Sequence, residues 1–250
     1  YNNDGYPDIA YVALNGQTFP LLRNTGKGSF EEVTAETGIR KMSLPMAGFG
    51  AALIDLDNDG WKDFFATRGH VSNVVPGTQV RQPNVVFHNP GGPGEWTALV
   101  AEAGFTEATA ARHRGCGFGD FDGDGRVDAV VTALDAPAEL WMNRSPGDHH
   151  WLDISLHGVK SNRDGIGARI KVVTKEGAQY NHQTSAFCYA SSSLGPVHFG
   201  LDKEAVAQKV EITWPSGIVQ ELENVRGDRI LEVTEPVNAA KEKIPAAPAK

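Results

Sequence analysis

Short runs of apolar residues alternate with turns rich in glycine, asparagine and aspartate along the first part of the chain, residues 1–147. Residues 49–54 read Phe-Gly-Ala-Ala-Leu-Ile, and residues 129–132 read Ala-Val-Val-Thr. Apolar runs this short, bounded by glycine and aspartate, favour strands over helices. The pattern therefore predicts an all-β structure for this part.

Residues 148–235 also predict strands, but without acidic loops between them. Several of these strands alternate apolar and polar residues, as strands with one face in water do. Pro215, Ser216 and Gly217 predict a hairpin turn. We expect a small antiparallel β-sandwich with strands at residues 151–156, 168–173, 197–201, 210–214 and 230–233.

The last stretch, residues 236–250, is rich in proline, alanine and lysine and has little apolar surface to bury. Such a composition is typical of a disordered segment. The sequence thus divides into residues 1–147, residues 148–235 and a disordered tail at residues 236–250.

A supersecondary unit recurs within residues 1–147, marked by an acidic loop and by an apolar strand that ends in Asn24, Asn89 or Asn143. Units that repeat in this way stack on one another, because none can bury its faces alone. Each unit holds about four short strands, which is the content of one propeller blade.

The acidic loop at residues 55–63 reads Asp-x-Asp-x-Asp-Gly-x-x-Asp, with carboxylates at loop positions one, three, five and nine. Calcium takes roughly six to eight oxygen ligands, and alternating side chains of a curled loop can direct several at one centre. Glycine at position six permits the sharp reversal. Residues 120–128 repeat the pattern position for position, and residues 2–8 fit positions three to nine. Three copies in register predict calcium loops.

These loops differ from those of calcium-sensor hands. An EF-hand closes its site with a glutamate at position twelve, between two helices. Here position twelve is Ala66 in one copy and Val131 in the other, and the flanking residues predict strands. The loops are therefore predicted to be metal-holding turns of β-hairpins.

The loops and their flanking strands resemble the FG-GAP/VCBS repeats of integrin-α-like β-propellers. The resemblance implies that loop side chains and one backbone carbonyl hold calcium on each blade. Such propellers close with about seven blades, so residues 1–147 are expected to be a fragment of a larger propeller. The implied ligands are Asn2, Asp4 and Asp8 with the Tyr6 carbonyl, then Asp55, Asp57, Asp59 and Asp63 with the Trp61 carbonyl, and Asp120, Asp122, Asp124 and Asp128 with the Arg126 carbonyl.

Residues 148–235 resemble the ASPIC/UnbV domain, a C-terminal partner of such propellers in cartilage acidic protein-like and bacterial exported proteins. The resemblance rests on Ser-Asn-Arg-Asp-Gly-Ile-Gly-Ala-Arg at residues 161–169, His-Phe-Gly-Leu at residues 198–201, Trp-Pro-Ser-Gly at residues 214–217 and Glu-Asn-Val at residues 223–225. The resemblance implies little about chemistry, because it brings no activity of that domain that can be carried over to this chain.

Composition limits the partners and the compartment. The net charge of −8 argues against nucleic acid, whose phosphates require a basic surface. No apolar run approaches the ~20 residues of a membrane helix. Cys116 and Cys188 fall in different predicted domains, so two buried thiols are favoured over a disulfide. Calcium sites of moderate affinity fill outside the cell, which predicts a secreted, periplasmic or cell-surface protein.

The leading hypothesis is a non-enzymatic, calcium-stabilised module for interaction or adhesion, with an unknown protein or glycan partner. One alternative is an enzyme (a hydrolase, lyase or biosynthetic enzyme) that uses the propeller as a scaffold, with catalytic residues in missing blades. Another is a polysaccharide-binding module in which Trp61, Trp96 and Trp141 stack on sugars, although core packing is favoured for these tryptophans.

Two short motifs carry weaker hypotheses. Residues 226–228 read Arg-Gly-Asp, an integrin-binding tripeptide, but a simple turn is favoured there. His149 and His150 could ligate a transition metal, but vicinal histidines at a domain junction are more often surface residues.

Overall fold

The computed structural model describes residues 1–71 and 79–238 and the backbone of residues 240–243. Strands hold 42% of the described residues and helices 3%, which confirms the predicted all-β class. The strands, in chain order, are β1 Ile9–Ala10, β2 Leu21–Asn24, β3 Phe30–Glu32, β4 Gly48–Ile54, β5 Asp63–Arg68, β6 Val85–His88, β7 Thr97–Leu99, β8 His113–Gly119, β9 Asp128–Ala133, β10 Glu139–Trp141, β11 His150–His157, β12 Arg169–Val173, β13 Ala178–His182, β14 Ala186–Phe187, β15 Ser191–Ser192, β16 Val197–Asp202, β17 Val206–Thr213, β18 Val219–Arg226, β19 Arg229–Thr234 and β20 Ala240–Lys243. A short helix, Ile39–Ser43, precedes β4, and a 3-10 turn, Glu107–Thr109, precedes β8.

The first part of the chain forms three separate antiparallel sheets, in the orders β1-β2-β3, β4-β5-β6-β7 and β10-β9-β8. The middle sheet has the four strands expected of a blade, whereas the outer two have three each. Within the described residues the three sheets do not close into a ring. The acidic loops lie between β4 and β5, between β8 and β9, and directly before β1.

Strand β5 packs against hydrophobic side chains on both of its faces, which explains why all six of its residues are buried. Phe64 lies in one core with Phe19 and Phe87. Its neighbour Phe65 points to the opposite face, as strand geometry requires, and lies in a second core with Val131. Burying one such ring stabilises the fold by roughly 1.5–3 kcal/mol. The two cores fix the sheets against each other, and with them the loops at the strand ends.

The second part of the chain contains a three-stranded sheet, β16-β11-β19, and a five-stranded sheet, β13-β12-β17-β18-β20. Buried side chains of both sheets, including Leu152, Phe199, Ile212 and Trp214, form one hydrophobic cluster. The predicted hairpin turn at residues 215–217 is confirmed, since the Gly217 amide donates to the Trp214 carbonyl.

The prediction of purely antiparallel pairing is wrong for two strand pairs, because β19 runs parallel to β11 and β20 runs parallel to β18. The chain leaves β18 through the Arg-Gly-Asp turn, where Asp228 has φ of 56° and its amide donates to the Trp151 carbonyl. This contact carries β19 away from the sheet of β18 to the free edge of β11. Residues 226–228 thus form a turn between two strands.

The expected disordered tail is also wrong over residues 240–243, which form β20. Their backbone pairs with residues 220–223 of β18. A sheet edge offers unpaired backbone groups that a neighbouring strand can satisfy, whatever the composition of that strand. Residues 239 and 244–250, the rest of the predicted tail apart from 236–238, lie outside the described residues.

The polar Ser-Asn-Arg-Asp segment forms a turn held by local hydrogen bonds. The Asn162 side chain donates to the Ile166 carbonyl and accepts from the Ile166 amide, both at 2.8 Å. The buried Glu235 carboxylate accepts from the amides of Val159, Lys160 and Ser161, each at 2.7 Å. These residues anchor the loop to the end of β19.

Cys116 and Cys188 form a disulfide, contrary to the expectation of two buried thiols. Cys116 belongs to β8 in the first part of the chain, and Cys188 lies in the turn of the short β14–β15 hairpin of the second part. The hairpin crosses over onto β4 and β8, where Phe187 packs 5.6 Å from Phe118, measured between ring centroids. The pairing depends on this crossing, which local sequence does not reveal.

We predict that replacing both cysteines by serine lowers the free energy of unfolding by about 2–4 kcal/mol, because the disulfide restricts the unfolded chain across a separation of 72 residues. Urea denaturation of the oxidised protein, with and without dithiothreitol, measures this. The double variant serves as its own control, since the reductant should leave it unchanged. A reductant-insensitive wild type would contradict the prediction.

Candidate metal centre

The last carboxylate of each acidic loop is held by an asparagine at the end of, or within two residues after, the second strand that follows the loop. The amides of Asn24, Asn89 and Asn143 donate to Oδ1 of Asp8, Asp63 and Asp128, at 2.8, 2.9 and 2.7 Å. Each asparagine Nδ2 also donates to the carbonyl of the residue just before that aspartate, at 3.0–3.1 Å. Loop position nine is therefore fixed before any metal arrives.

The inner part of each loop also repeats one geometry. The position-seven amide donates to Oδ1 of the position-five aspartate, from Tyr6 to Asp4, Trp61 to Asp59 and Arg126 to Asp124, at 2.8–2.9 Å. In the two complete loops the position-six glycine amide donates to Oδ2 of the position-one aspartate, at 2.8 and 2.9 Å. These bonds curl the backbone so that alternate side chains point to one centre.

Successive loops are tied to one another. At position four, Asn3 donates to the Gly60 carbonyl of the next loop, and Asn58 donates to the Gly125 carbonyl of the loop after that, at 2.9 and 3.0 Å. Both asparagines have a left-handed backbone, with φ of 56° and 61°, which asparagine tolerates better than most residues. The loops therefore form one connected layer.

The loop of residues 55–63 concentrates carboxylates with few neutralising partners. Asp55 and Asp63 are buried, and the Oδ1 atoms of Asp55 and Asp57 have no hydrogen-bond partner among the described residues. Ligand atoms of Asp57, Asp59 and His88 all lie within 4.8 Å of one another. Buried polar atoms normally find a partner, so these oxygens are suited to a bound cation.

The raised pKa values in this loop show that its neighbouring carboxylates are unfavourable in their charged form. Burial, with the neighbouring Asp57 and Asp55, raises the pKa of Asp59 to about 8. Burial raises the pKa of Asp55 to about 6. A hydrogen bond from His88 Nδ1 to Asp63 Oδ1, at 3.1 Å, raises the pKa of His88 to about 9. Without a metal, protons bound by Asp55, Asp59 and His88 reduce the negative charge of this loop.

The loop of residues 120–128 brings Asp120, Asp122 and Asp128 together in a second cluster with ligand atoms within 4.8 Å. Here an arginine supplies positive charge, because Arg144 bonds Asp122 at 2.8 Å and Asp124 at 3.0 Å. The hydrogen bond from Arg144 lowers the pKa of Asp122.

The loop of residues 2–8 is the least charged. Asn2 donates to Asp4 Oδ2 at 2.8 Å, and Asp8 is bound to the Asn24 amide. Only Asp4 and Asp8 offer carboxylates, so this loop does not form a cluster of three acidic or histidine ligands like the other two. It lacks the charge that distinguishes the loop of residues 55–63.

The donor set fits a hard divalent cation in the two complete loops, since oxygen ligands are what calcium prefers. Asp55, Asp57, Asp59 and Asp63 would hold it in one loop, and Asp120, Asp122, Asp124 and Asp128 in the other. Of these predicted ligands, Asp57 and Asp59 lie with His88 in one cluster, and Asp120, Asp122 and Asp128 lie in the other. Asp55, Asp63 and Asp124 lie outside these two clusters, and their role as ligands stays a prediction. For Tyr6, Trp61 and Arg126 the contacts within the loop involve the backbone amide and not the carbonyl, so these carbonyls as ligands stay a prediction.

Sequence reasoning missed the cations beside the loops and the role of the strand-end asparagines. His88 lies directly before one of these asparagines and Arg144 directly after another, so both positions could have been found by aligning the units. The asparagines themselves were visible as part of the repeat, but their bonds to position nine required the structure.

Two family models match the chain. Residues 158–240 match the ASPIC and UnbV family, and residues 1–66 match the FG-GAP-like repeat. The resemblances inferred from the sequence are confirmed by these matches.

The chain is also similar to Cartilage acidic protein 1 of three vertebrates. It is 28% identical to the Homo sapiens protein over 232 residues, covering 87% of this chain and 32% of the relative. The corresponding values are 26% over 227 residues, 87% and 33% for Xenopus tropicalis, and 26% over 258 residues, 96% and 37% for Mus musculus. The chain therefore spans about a third of the length of these relatives.

We predict that the metal-free protein becomes less stable as pH rises from about 6 to about 9. Folding raises the pKa of Asp59 from near 4 to about 8, so a protonated Asp59 favours the folded state. This stabilisation is fully present below about pH 4 and is lost as the pH rises towards 8. The raised pKa of His88 gives stability that is present below 6.5 and lost as pH rises through 9. Both contributions therefore fall over this window.

Thermal melts in EDTA at several pH values measure this dependence, and His88→Asn should flatten its upper part. Excess calcium is the control, because bound metal would keep the carboxylates ionised and weaken the dependence. A metal-free protein whose melting temperature rises over the same pH range would contradict the prediction.

Proposed function

We propose that this chain, which joins an FG-GAP-like repeat to an ASPIC and UnbV segment, is a non-enzymatic calcium-binding module that acts outside the cytoplasm in interaction or adhesion. The observation that carries the proposal is the half-buried cluster of Asp57, Asp59 and His88, together with two buried carboxylate oxygens, Asp55 Oδ1 and Asp57 Oδ1, that have no hydrogen-bond partner among the described residues. Calcium in such a place is structural, because it draws together side chains that otherwise repel.

The position of the loops supports a structural role for the metal. Asp63 begins β5, which is fully buried, and Asp128 begins β9, of which half the residues are buried. Fixing these aspartates therefore fixes the start of a central strand in each of two sheets. A metal at this point stabilises the fold, and nothing in this role requires a substrate.

An extracytoplasmic location is supported by the disulfide, since disulfides persist in oxidising compartments. In the described residues no helix is long and apolar enough to cross a membrane. Calcium at the millimolar concentrations found outside cells would fill loops of even modest affinity.

A polysaccharide-binding function has one supporting feature. A cavity of about 710 Å³ lies between the loops and the second part of the chain, lined among others by Lys62, Arg169 and Tyr180. This volume suits a small ligand. Stacking on the tryptophans is less well supported, because Trp96 is 4% exposed and Trp141 packs edge-on to Phe105.

We predict that calcium raises the melting temperature of the chelated protein, and that Asp57→Asn removes much of this rise. Binding to the folded state alone contributes about 2.7 kcal/mol when free calcium is a hundredfold above Kd. Calorimetric titration and melts at each end of the titration measure both quantities.

Glu31→Gln is the matched control, because it removes the same charge at an exposed site whose salt bridge in the described part of the chain is with Arg23. It should respond to calcium as the wild type does. A wild-type melting temperature that is identical in EDTA and in excess calcium would refute the proposal.

A further inference from the structure

The second part of the chain lies directly on the layer of acidic loops. Each loop presents its position-six glycine, and a side chain of the second part lies within about 3.1 Å of the place where a methyl group on that glycine would be. The pairs are Tyr180 over Gly5, Gln179 over Gly60 and Trp151 over Gly125. The glycines thus serve the contact as well as the turn.

The closest contacts converge on Asn58, which lies between the predicted ligands Asp57 and Asp59. His198 Nε2 is 2.7 Å from Asn58 Oδ1, and the Asp202 amide donates to the Asn58 carbonyl at 2.9 Å. Because Asn58 Nδ2 already donates to the Gly125 carbonyl, Asn58 Oδ1 is the acceptor for His198. His149 Nδ1 lies 2.7 Å from the Asp57 carbonyl.

The alternation of side chains along β16 explains the roles of its four residues His-Phe-Gly-Leu, residues 198–201. Phe199 and Leu201 are buried in the core of the second part. His198 and Gly200 point to the opposite face of the strand, towards the acidic loop. A methyl group on Gly200 would overlap Asp55 Oδ2 and lie 2.5 Å from the Asn58 backbone. Asp153, 2.7 Å from His198 Nδ1, orients the imidazole.

We propose that the ASPIC and UnbV segment is a clamp for the loop of residues 55–63, and that its docking and cation binding by that loop are thermodynamically coupled. The inference rests on the proposed calcium function. The loop curl that brings Asp57 and Asp59 together also turns Asn58 outward in its left-handed conformation, towards His198. One backbone conformation therefore serves both partners.

Coupling of this kind is reciprocal, so a bound cation strengthens docking by the factor by which docking strengthens cation binding. The disulfide joins Cys116 to the β14–β15 hairpin and does not involve β16. The contact between β16 and the acidic loop is therefore held by non-covalent interactions alone. The disulfide keeps the two parts of the chain connected. If the β16 contact is lost, the two parts do not dissociate, and we expect the loss to be measured as weaker cation affinity.

The first experiment is calorimetric calcium titration of the wild type, His198→Ala, Asn58→Gly and the double variant. Asn58→Gly keeps the left-handed backbone, since Gly123 holds the same position with φ of 77° in the loop of residues 120–128. His157→Ala is the matched control, because His157 pairs with Glu232 within the second part.

His198→Ala should weaken one calcium site by about fivefold, which corresponds to the loss of its hydrogen bond to Asn58. Asn58→Gly should weaken that site at least as much, because it also removes the hydrogen bond to the Gly125 carbonyl. The double variant should be no weaker than Asn58→Gly, because both substitutions remove the same contact. His157→Ala should bind as the wild type does. If His198→Ala does not fold, the calcium affinity of Asn58→Gly and the hydrogen exchange of the wild type test the proposal.

The second experiment is hydrogen exchange of the wild type with and without calcium. Calcium should slow exchange of the Asp202 amide at least several-fold, while amides in the β17–β18 ladder stay unchanged. Wild-type calcium binding with unaltered affinity in both variants and unaltered Asp202 exchange would overturn the clamp and leave the calcium function standing. A wild type that binds no calcium would overturn both.

Discussion

The repulsion between carboxylates gathered at the ends of buried strands is the constraint on which this structure depends. Asp55 and Asp63 have been removed from water, and Asp57 and Asp59 lie beside them. Charges in such a place are stable only with a counter-charge or a proton. In the metal-free protein His88 and raised pKa values supply this compensation. A divalent cation would supply it more directly, and would fix the strands at the same time.

The asparagines turn three local loops into one layer. Asn24, Asn89 and Asn143 hold position nine within each unit, and Asn89 and Asn143 also reach back to the carbonyls of Tyr1 and Leu56 in the preceding loop. Asn3 and Asn58 reach forward to the next loop. In a repeat protein each unit contacts its neighbours. Here those contacts run through polar backbone groups at the loops as well as through the hydrophobic cores between sheets.

The second part of the chain gives this layer a cover. Trp151, Gln179 and Tyr180 lie over the loop glycines, and β16 presents His198 and Gly200 to Asn58 and Asp55. The disulfide and the β14–β15 hairpin hold the same two parts together at β8. The His-Phe-Gly-Leu motif of β16 and the acidic loops of the first part therefore form the two sides of one interface.

The sequence by itself determined the all-β class and the acidic loops and predicted the ligand sets, because each depends on spacings of a few residues. A period of two fixes which strand residues are buried, and the alternation from Asp55 to Asp59 fixes which loop side chains converge. The pairing of Cys116 with Cys188, the parallel β19 and β20, and the roles of His88, Arg144 and His198 required the tertiary structure. Each of these depends on which distant segments meet, and that is decided by the packing of whole sheets, for which local periodicity carries no information.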